Sequence, residues 1–339
     1  MTGFSWGVLS TARIGTAKVI PAIQASRSGR VVAIASRSVD AARQQADRLG
    51  IARAYGSYEE LLADPAIDGI YNPLPNHLHV PWTIRALEAG KHVLCEKPVA
   101  LTAEEAATLI AARERTGRQV LEAFMVRQHP QWLRTRELVH SGELGEVRAI
   151  QSAFCYFNTD PTNIRNLADI GGGALYDIGC YCIVISRFLF SAEPDRVVAL
   201  INRDPAMRTD RLTSALLAFP GGRQSAFICS TQLAPYQRIQ VLGTKKRAEV
   251  MIPVNAPPDV PTRILVDDAR AHDGSGVTVE TFPACDQYAL QADEAVATFR
   301  GEKRAAFPIE DAVRNMRVVD ALYRSGASGE WQPVAAPDR

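Results

Sequence analysis

Between residues 1 and 124 the chain alternates short apolar runs with amphipathic helical patterns, and this rhythm restricts the fold more than any other feature. The apolar runs fall at Trp6–Leu9, Val31–Ala35, Asp68–Tyr71, Lys91–Cys95 and Gln119–Phe124. Between them, Ile14, Val19, Ile20 and Ile23 mark one face of a helix. Ser38 caps a second helix that runs to Leu49 and stops at Gly50. Ser57-Tyr58-Glu59-Glu60 and Thr102-Ala103-Glu104-Glu105 are capping boxes opening two more, and another spans Val80–Ala89 and closes at Gly90. Strands separated by helices through short links call for a parallel sheet with helices on both faces.

In such a sheet, ligands bind beyond the C-terminal ends of the strands. After the first strand, Ser10-Thr11-Ala12-Arg13-Ile14-Gly15 keeps the spacing of G-x-G-x-x-G, with the first two glycines replaced by the next smallest residues. Small side chains let the backbone approach a pyrophosphate, and the helix that follows turns free N–H groups toward it. The stretch also fits an ordinary tight turn. After the second strand, where an acid would recognise the ribose 2′-hydroxyl of NAD, stand Ser36 and Arg37. A hydroxyl and a guanidinium suit a 2′-phosphate, so NADP is favoured and NAD remains possible. The alternative is that Arg37 is a surface residue and Ser38 only a cap. After the third strand, Asn72-Pro73-Leu74-Pro75-Asn76-His77-Leu78-His79 is a stiff loop able to offer backbone groups and Asn side chains to a ribose or nicotinamide. His77 and His79, two apart, share no helix face, so no metal site is expected and His79 is read as fixing the loop by a hydrogen bond.

The next strand runs into Glu96-Lys97-Pro98. Proline fixes its own φ and holds the preceding residue extended, which gives the Lys97 amine a defined direction. Taken alone, the string also fits an exposed turn with a surface ion pair of little value.

Beyond residue 124 the pattern changes. A helix over Pro130–His140 precedes candidate strands at Glu146–Phe157, Arg196–Ile201, Leu212–Phe219, Gln224–Ser230, Tyr236–Leu242, Arg247–Ile252 and Arg263–Val266. Turns such as Pro220-Gly221-Gly222 predict a mostly antiparallel sheet and an α+β domain over residues 125–339. Helical stretches at Asp286–Phe299 and Ile309–Tyr323 are expected to cover one side of it, and an open apolar face would favour a homodimer or homotetramer through this sheet. Within this part, Gly171-Gly172-Gly173 leads into an apolar helix over Ala174–Leu189, where Asp177 and Tyr181 stand four apart on one face. Either the pair has a chemical task, or Asp177 satisfies loose backbone near the glycines while Tyr181 is core.

Thirty-eight basic against thirty-seven acidic residues leave no field to steer the molecule toward nucleic acid or an anionic membrane. The six cysteines lack zinc spacing, the N-terminus Met1–Trp6 has no leader pattern, and no stretch reaches membrane-spanning length, so the expected location is cytoplasmic.

These motifs together resemble the glucose-fructose oxidoreductase / inositol dehydrogenase (Gfo/Idh/MocA) family across nearly the whole chain. The resemblance is carried by the degenerate glycine loop, Pro73-Leu74-Pro75-Asn76 with His79, Gly90–Pro98, Glu122-Ala123-Phe124-Met125 with Arg127, and Gly171–Tyr181. With tyrosine at 181, the chain is most similar to the branch of dimeric dihydrodiol dehydrogenases and NADP-dependent D-xylose and aldose dehydrogenases. The resemblance implies a Rossmann domain followed by an open-sheet domain, Lys97 beside the nicotinamide, Asp177 and Tyr181 facing it, and Arg165 reaching the cofactor. It implies NADP-dependent oxidation of a sugar or polyol hydroxyl, or the reverse reduction. Lys97 would stabilise the substrate oxygen, either Tyr181, with a pKa lowered by the cation, or Lys97 itself would move the proton, and Asp177 would orient the hydroxyl or Lys97. Glu96 would pin the lysine or the ribose. Rival readings on the same scaffold are trans-dihydrodiol oxidation, dicarbonyl reduction, an NAD-using glycosidase and a non-catalytic NAD(P) sensor.

Overall fold

The computed structural model describes residues 3–334, so Met1 and Thr2 of the N-terminal stretch lie outside the described residues. The chain forms two compact units, one of residues 1–125 with 286–313, the other of 126–285 with 314–339.

In the first unit the order is β1 (Phe4–Leu9), a π-helical turn (Gly15–Val19) running into α1 (Ile20–Ala25), β2 (Gly29–Ala35), α2 (Val39–Leu49), β3 (Arg53–Tyr55), α3 (Tyr58–Ala63), β4 (Gly69–Asn72), α4 (His79–Glu88), β5 (His92–Cys95), α5 (Ala103–Thr116) and β6 (Val120–Glu122). The caps are those the sequence calls for. Ser38, Ser57 and Thr102 accept from Ala41, Glu60 and Glu105 N–H, and α2 and α5 end at the left-handed Gly50 and Gly117. All six strands pair in parallel in the order β3-β2-β1-β4-β5-β6. The strand order reverses at β1/β4, which is the switch point where an open α/β sheet splays its loops to make a crevice. The strand β3, only Arg-Ala-Tyr, is too short to leave a period in the sequence.

In the second unit α6 (Pro130–His140), β7 (Val147–Phe157), α7 (Cys180–Phe190), β8 (Arg196–Arg203), β9 (Asp210–Ala218), β10 (Gln224–Ser230), β11 (Gln232–Gly243), β12 (Arg247–Val250), β13 (Thr262–Asp267) and β14 (Val277–Phe282) follow in order. After α8 (Gln287–Phe299) and α9 (Ile309–Ser328), β15 (Gln332–Pro333) completes a nine-stranded sheet, β14-β13-β12-β11-β7-β10-β9-β8-β15. Only β7 and β10 pair in parallel. The alternating pattern of β8 turns Val197 and Ala199 toward the helices and leaves Leu200 78% exposed on the other face, with Leu216 and Tyr236 also exposed. β14 and β15 escape the sequence reading because edge strands bury little and show no clean alternation.

Two expectations need correction. The helix α8 does not cover the second sheet; it packs in the first unit, where Ala292, Ala295, Val296 and Phe299 join the core of Phe4, Trp6, Ile20 and Ile23. The Phe299 ring lies 5.8 Å from both Phe4 and Trp6, and Asp293 accepts from Arg27 and Ser28 N–H. An apolar face at i, i+3, i+4 and i+7 fits any apolar surface, and burying Phe299 contributes about 2–3 kcal/mol wherever that surface is. The second correction concerns length: Ala168–Phe190 is long and apolar enough to cross a membrane, but 89% of its most apolar 18 residues are buried within the protein, making it a core segment.

Candidate functional site

Ser10 ends β1 in the left-handed region at φ 77°, where the motif spacing called for glycine. Its N–H donates to Ala35 O at 2.9 Å, and its hydroxyl accepts from Ala12 N–H at 3.2 Å. That local bond offsets part of the cost of the conformation, and alanine at this place would have no such compensation. Thr11, Ala12 and Ile14 are half-buried along the turn and Arg13 is exposed. Gly15 then lies against Tyr71 and Pro73, where a Cβ would already be in contact at 3.5–3.6 Å. At the end of β2, Ser36 is half-buried and accepts from Ser38 N–H at 3.3 Å, while Arg37 is exposed.

The loop after β4 is held by its own side chains. Asn72 is fully buried; its amide donates to His79 O and Thr83 Oγ1 and accepts from Leu74 N–H. That side chain therefore stabilises the loop; Pro73 and Leu74 are buried too, and what the loop turns outward comes from Pro75 to Leu78. His79 meets Leu74 O at 2.6 Å through Nε2 and Pro98 O at 2.7 Å through Nδ1, so the ring ties this loop to the Glu96-Lys97-Pro98 turn. Burial pushes its pKa down to about 4 against the pull of both carbonyls.

Glu96 is buried just past β5. It accepts from the Tyr71 hydroxyl at 2.7 Å through Oε1 and from Lys97 N–H at 3.3 Å through Oε2. Burial first, and then the facing carboxylate, hold the Tyr71 phenol well above its ordinary pKa. Glu122 anchors the far side of the turn by accepting from Val99 N–H at 2.8 Å. Lys97 is half-buried, and its peptide bond to Pro98 is cis. The sequence reading found Glu96 but missed Tyr71, a core residue of the neighbouring strand whose only outward sign is a phenol one place before a strand end.

In the second unit Asp177 lies in a π-helical turn, Leu175–Gly179, and Tyr181 in the first turn of α7. Asp177 Oδ2 accepts from the Tyr156 hydroxyl at 2.7 Å and from Arg165 Nε at 3.0 Å. Burial first and the carboxylate second raise the Tyr156 pKa. Arg165, expected to reach a cofactor, is thus engaged with Asp177. Tyr181 is buried, edge-on to Phe154 at 6.1 Å between ring centres. Tyr156 was missed because it sits inside β7, where a tyrosine reads as an ordinary strand residue. The geometry joins a carboxylate, a phenol and a guanidinium in a hydrogen-bonded set, with the buried Tyr181 four residues beyond Asp177 in the same helical segment.

Residues 4–124 match the oxidoreductase family with an NAD-binding Rossmann fold, and residues 132–249 match the GFO/IDH/MocA C-terminal domain. An uncharacterised oxidoreductase of Rhizobium meliloti is 49% identical over 97% of this chain and 98% of its own. A D-xylose 1-dehydrogenase (NADP(+)) of Haloferax volcanii is 38% identical over 96% of this chain and 98% of its own. Among solved structures, a 3-ketoreductase from Actinomadura kijaniata in complex with NADP and TDP-benzene superposes with a TM-score of 0.89 at 28% identity, covering 96% of this chain and 98% of that one. From the strand order, the Glu96-Lys97-Pro98 turn and these matches over both halves, the chain belongs to the Gfo/Idh/MocA family of oxidoreductases.

Proposed function

We propose that this protein is an NADP-dependent oxidoreductase that moves a hydride between the nicotinamide and a sugar hydroxyl or carbonyl, with an aldose such as D-xylose or glucose as substrate. The observation that carries the reading is the set of residues at one edge of the parallel sheet. It comprises the left-handed Ser10 turn, the exposed Arg37 beside Ser36, and Lys97 next to a carboxylate that Tyr71 holds. These residues fit NADP: backbone N–H groups of Thr11 to Ile14 suit the diphosphate, and Ser36 with Arg37 suits a 2′-phosphate. The Pro73-Leu74-Pro75-Asn76 segment and Glu96 suit the ribose and nicotinamide. The D-xylose 1-dehydrogenase (NADP(+)) relative and the NADP complex of the 3-ketoreductase support the cofactor and the sugar-like substrate.

When bound, the nicotinamide accepts or supplies the hydride. The chain's own residues manage the proton and the oxygen. The Lys97 ammonium donates to the substrate oxygen and stabilises alkoxide-like charge as it develops. Tyr181 relays the hydroxyl proton, and Asp177, held by Tyr156 and Arg165, orients the substrate hydroxyl. The exposed Leu200, Leu216 and Tyr236 on the open sheet face support assembly as a homodimer or homotetramer through that face. The six cysteines, none of them in a disulfide among the described residues, support a reducing, cytoplasmic setting.

Lys97→Met keeps a side chain of similar length without the charge, so turnover should fall by three orders of magnitude or more, about 4 kcal/mol in the transition state, with NADP still bound. Absorbance at 340 nm with a panel of aldoses and diols, together with NADP titration, reads both quantities. Turnover of Lys97→Met near that of the parent would refute the assignment.

A further inference from the structure

Asp210 stands at the start of β9 and is buried, 1% exposed. Its Oδ2 accepts from Leu175 N–H at 2.7 Å and from the Thr213 hydroxyl at 3.3 Å, and its Oδ1 accepts from the Tyr323 hydroxyl of α9 at 3.0 Å. The apolar helix that carries Asp177 and Tyr181 has no local cap: neither Ala174 nor Gly179 supplies a side-chain bond to its first turn. A carboxylate from a distant strand therefore takes the place of the N-cap, where the positive end of the helix favours an anion.

The three glycines fit the same arrangement. A Cβ on Gly173, whose φ is 126°, would fall on Asp210 Oδ1, and one on Gly172 would lie 2.6 Å from Arg165 O and 2.7 Å from Leu167 O. Gly173 N–H in turn donates to Arg165 O at 2.8 Å, and Gly173 O accepts from Asp177 N–H at 3.1 Å. Asp210 is thus joined, through one glycine and one helical turn, to the backbone of both Arg165 and Asp177. Its charge is also felt at Tyr156, the third member of that set.

We infer that Asp210 is the positioning residue that fixes the π-helical turn, and so aims Asp177 with Arg165 and Tyr156 at the substrate hydroxyl. The inference rests on the role proposed above for Asp177. Asp210→Ala removes all three acceptor contacts. Asp210→Asn keeps an oxygen for Leu175 N–H and an amide that the Tyr323 hydroxyl can accept from.

The test pairs hydrogen–deuterium exchange, which needs no substrate, with steady-state kinetics. In Asp210→Ala, exchange in peptides over 165–178 should rise on the order of tenfold while those over β8 and β10 stay unchanged. The kcat should fall on the order of a hundredfold, with the KM for NADP held within about twofold, and Asp210→Asn should restore most of both. Unchanged exchange over 165–178, a rise spread evenly through the unit, or an Asn variant no better than Ala overturns the inference. If Asp210→Ala does not fold, Tyr323→Phe removes the Oδ1 donor alone and should raise exchange over the same peptides; no rise there overturns the inference too. A parent enzyme silent with NADP and every sugar tested would sink the functional reading instead, and exchange would still decide the place of Asp210.

Discussion

Asp210→Asn should make the protein more stable at neutral pH, and the gain should vanish in acid. Burial is the largest influence on the Asp210 carboxyl and raises its pKa to about 6 from an ordinary value of 3.8, despite the opposing hydrogen bonds from Leu175 and Tyr323 and the nearby Arg203. A shift of about two units corresponds to about 3 kcal/mol between the protonated and ionised forms. The sign follows from proton linkage. Because the folded protein holds this proton more tightly than the unfolded chain, the group's stabilising contribution is complete below about pH 4 and is lost as pH rises through about 6. Asparagine resembles the protonated carboxyl and does not titrate. The variant should therefore match the parent near pH 4 and exceed it by about 3 kcal/mol at pH 7.5, which for a unit of this size is roughly 6–12 °C in Tm. Urea unfolding of both proteins at pH 4.5, 6.0 and 7.5 gives the difference directly, and other titrating groups cancel in it. A constant difference across the three values would show that burial does not dominate at Asp210. Together with the kinetics above, the outcome would show that the hydrogen bonds of Asp210 hold the turn that carries Asp177, while its charge costs stability at neutral pH.

Three other perturbations follow from the site. Ser10→Gly should leave stability within about 0.5 kcal/mol of the parent, since glycine accepts φ 77° freely, whereas Ser10→Ala loses the hydroxyl bond to Ala12 and keeps the strain, costing about 1–2 kcal/mol in thermal unfolding. Tyr71→Phe removes the phenol that donates to the buried Glu96 Oε1 and should cost about 1–3 kcal/mol in urea unfolding, with a fall in kcat because the carboxylate beside Lys97 is held less firmly. Arg37→Glu should raise the KM for NADP about tenfold or more while the KM for NAD holds or improves; equal effects on both would remove Arg37 from 2′-phosphate recognition.

Much of the first unit was legible because local signals and fold agree there. Ser38, Ser57 and Thr102 cap the helices that their spacing announces, and Gly50 and Gly117 close them. The Glu96-Lys97-Pro98 turn was placed at a strand end by its own residues. What stayed hidden were partners far apart in the chain: Tyr71 for Glu96, Tyr156 for Asp177, and Asp210 for Leu175, each inside or at the start of a strand where it reads as filler.

The sequence by itself determined the parallel sheet of the first unit, the helix ends and the turn that holds Lys97, since these depend on period, capping and proline, all of which act over a few residues. Tertiary structure alone decided that α8 returns to the core around Trp6, and that a carboxylate from β9 caps the helix carrying Asp177. An apolar helix face and an uncapped helix end each state a need that many surfaces could meet, and only packing of the whole chain selects which one does.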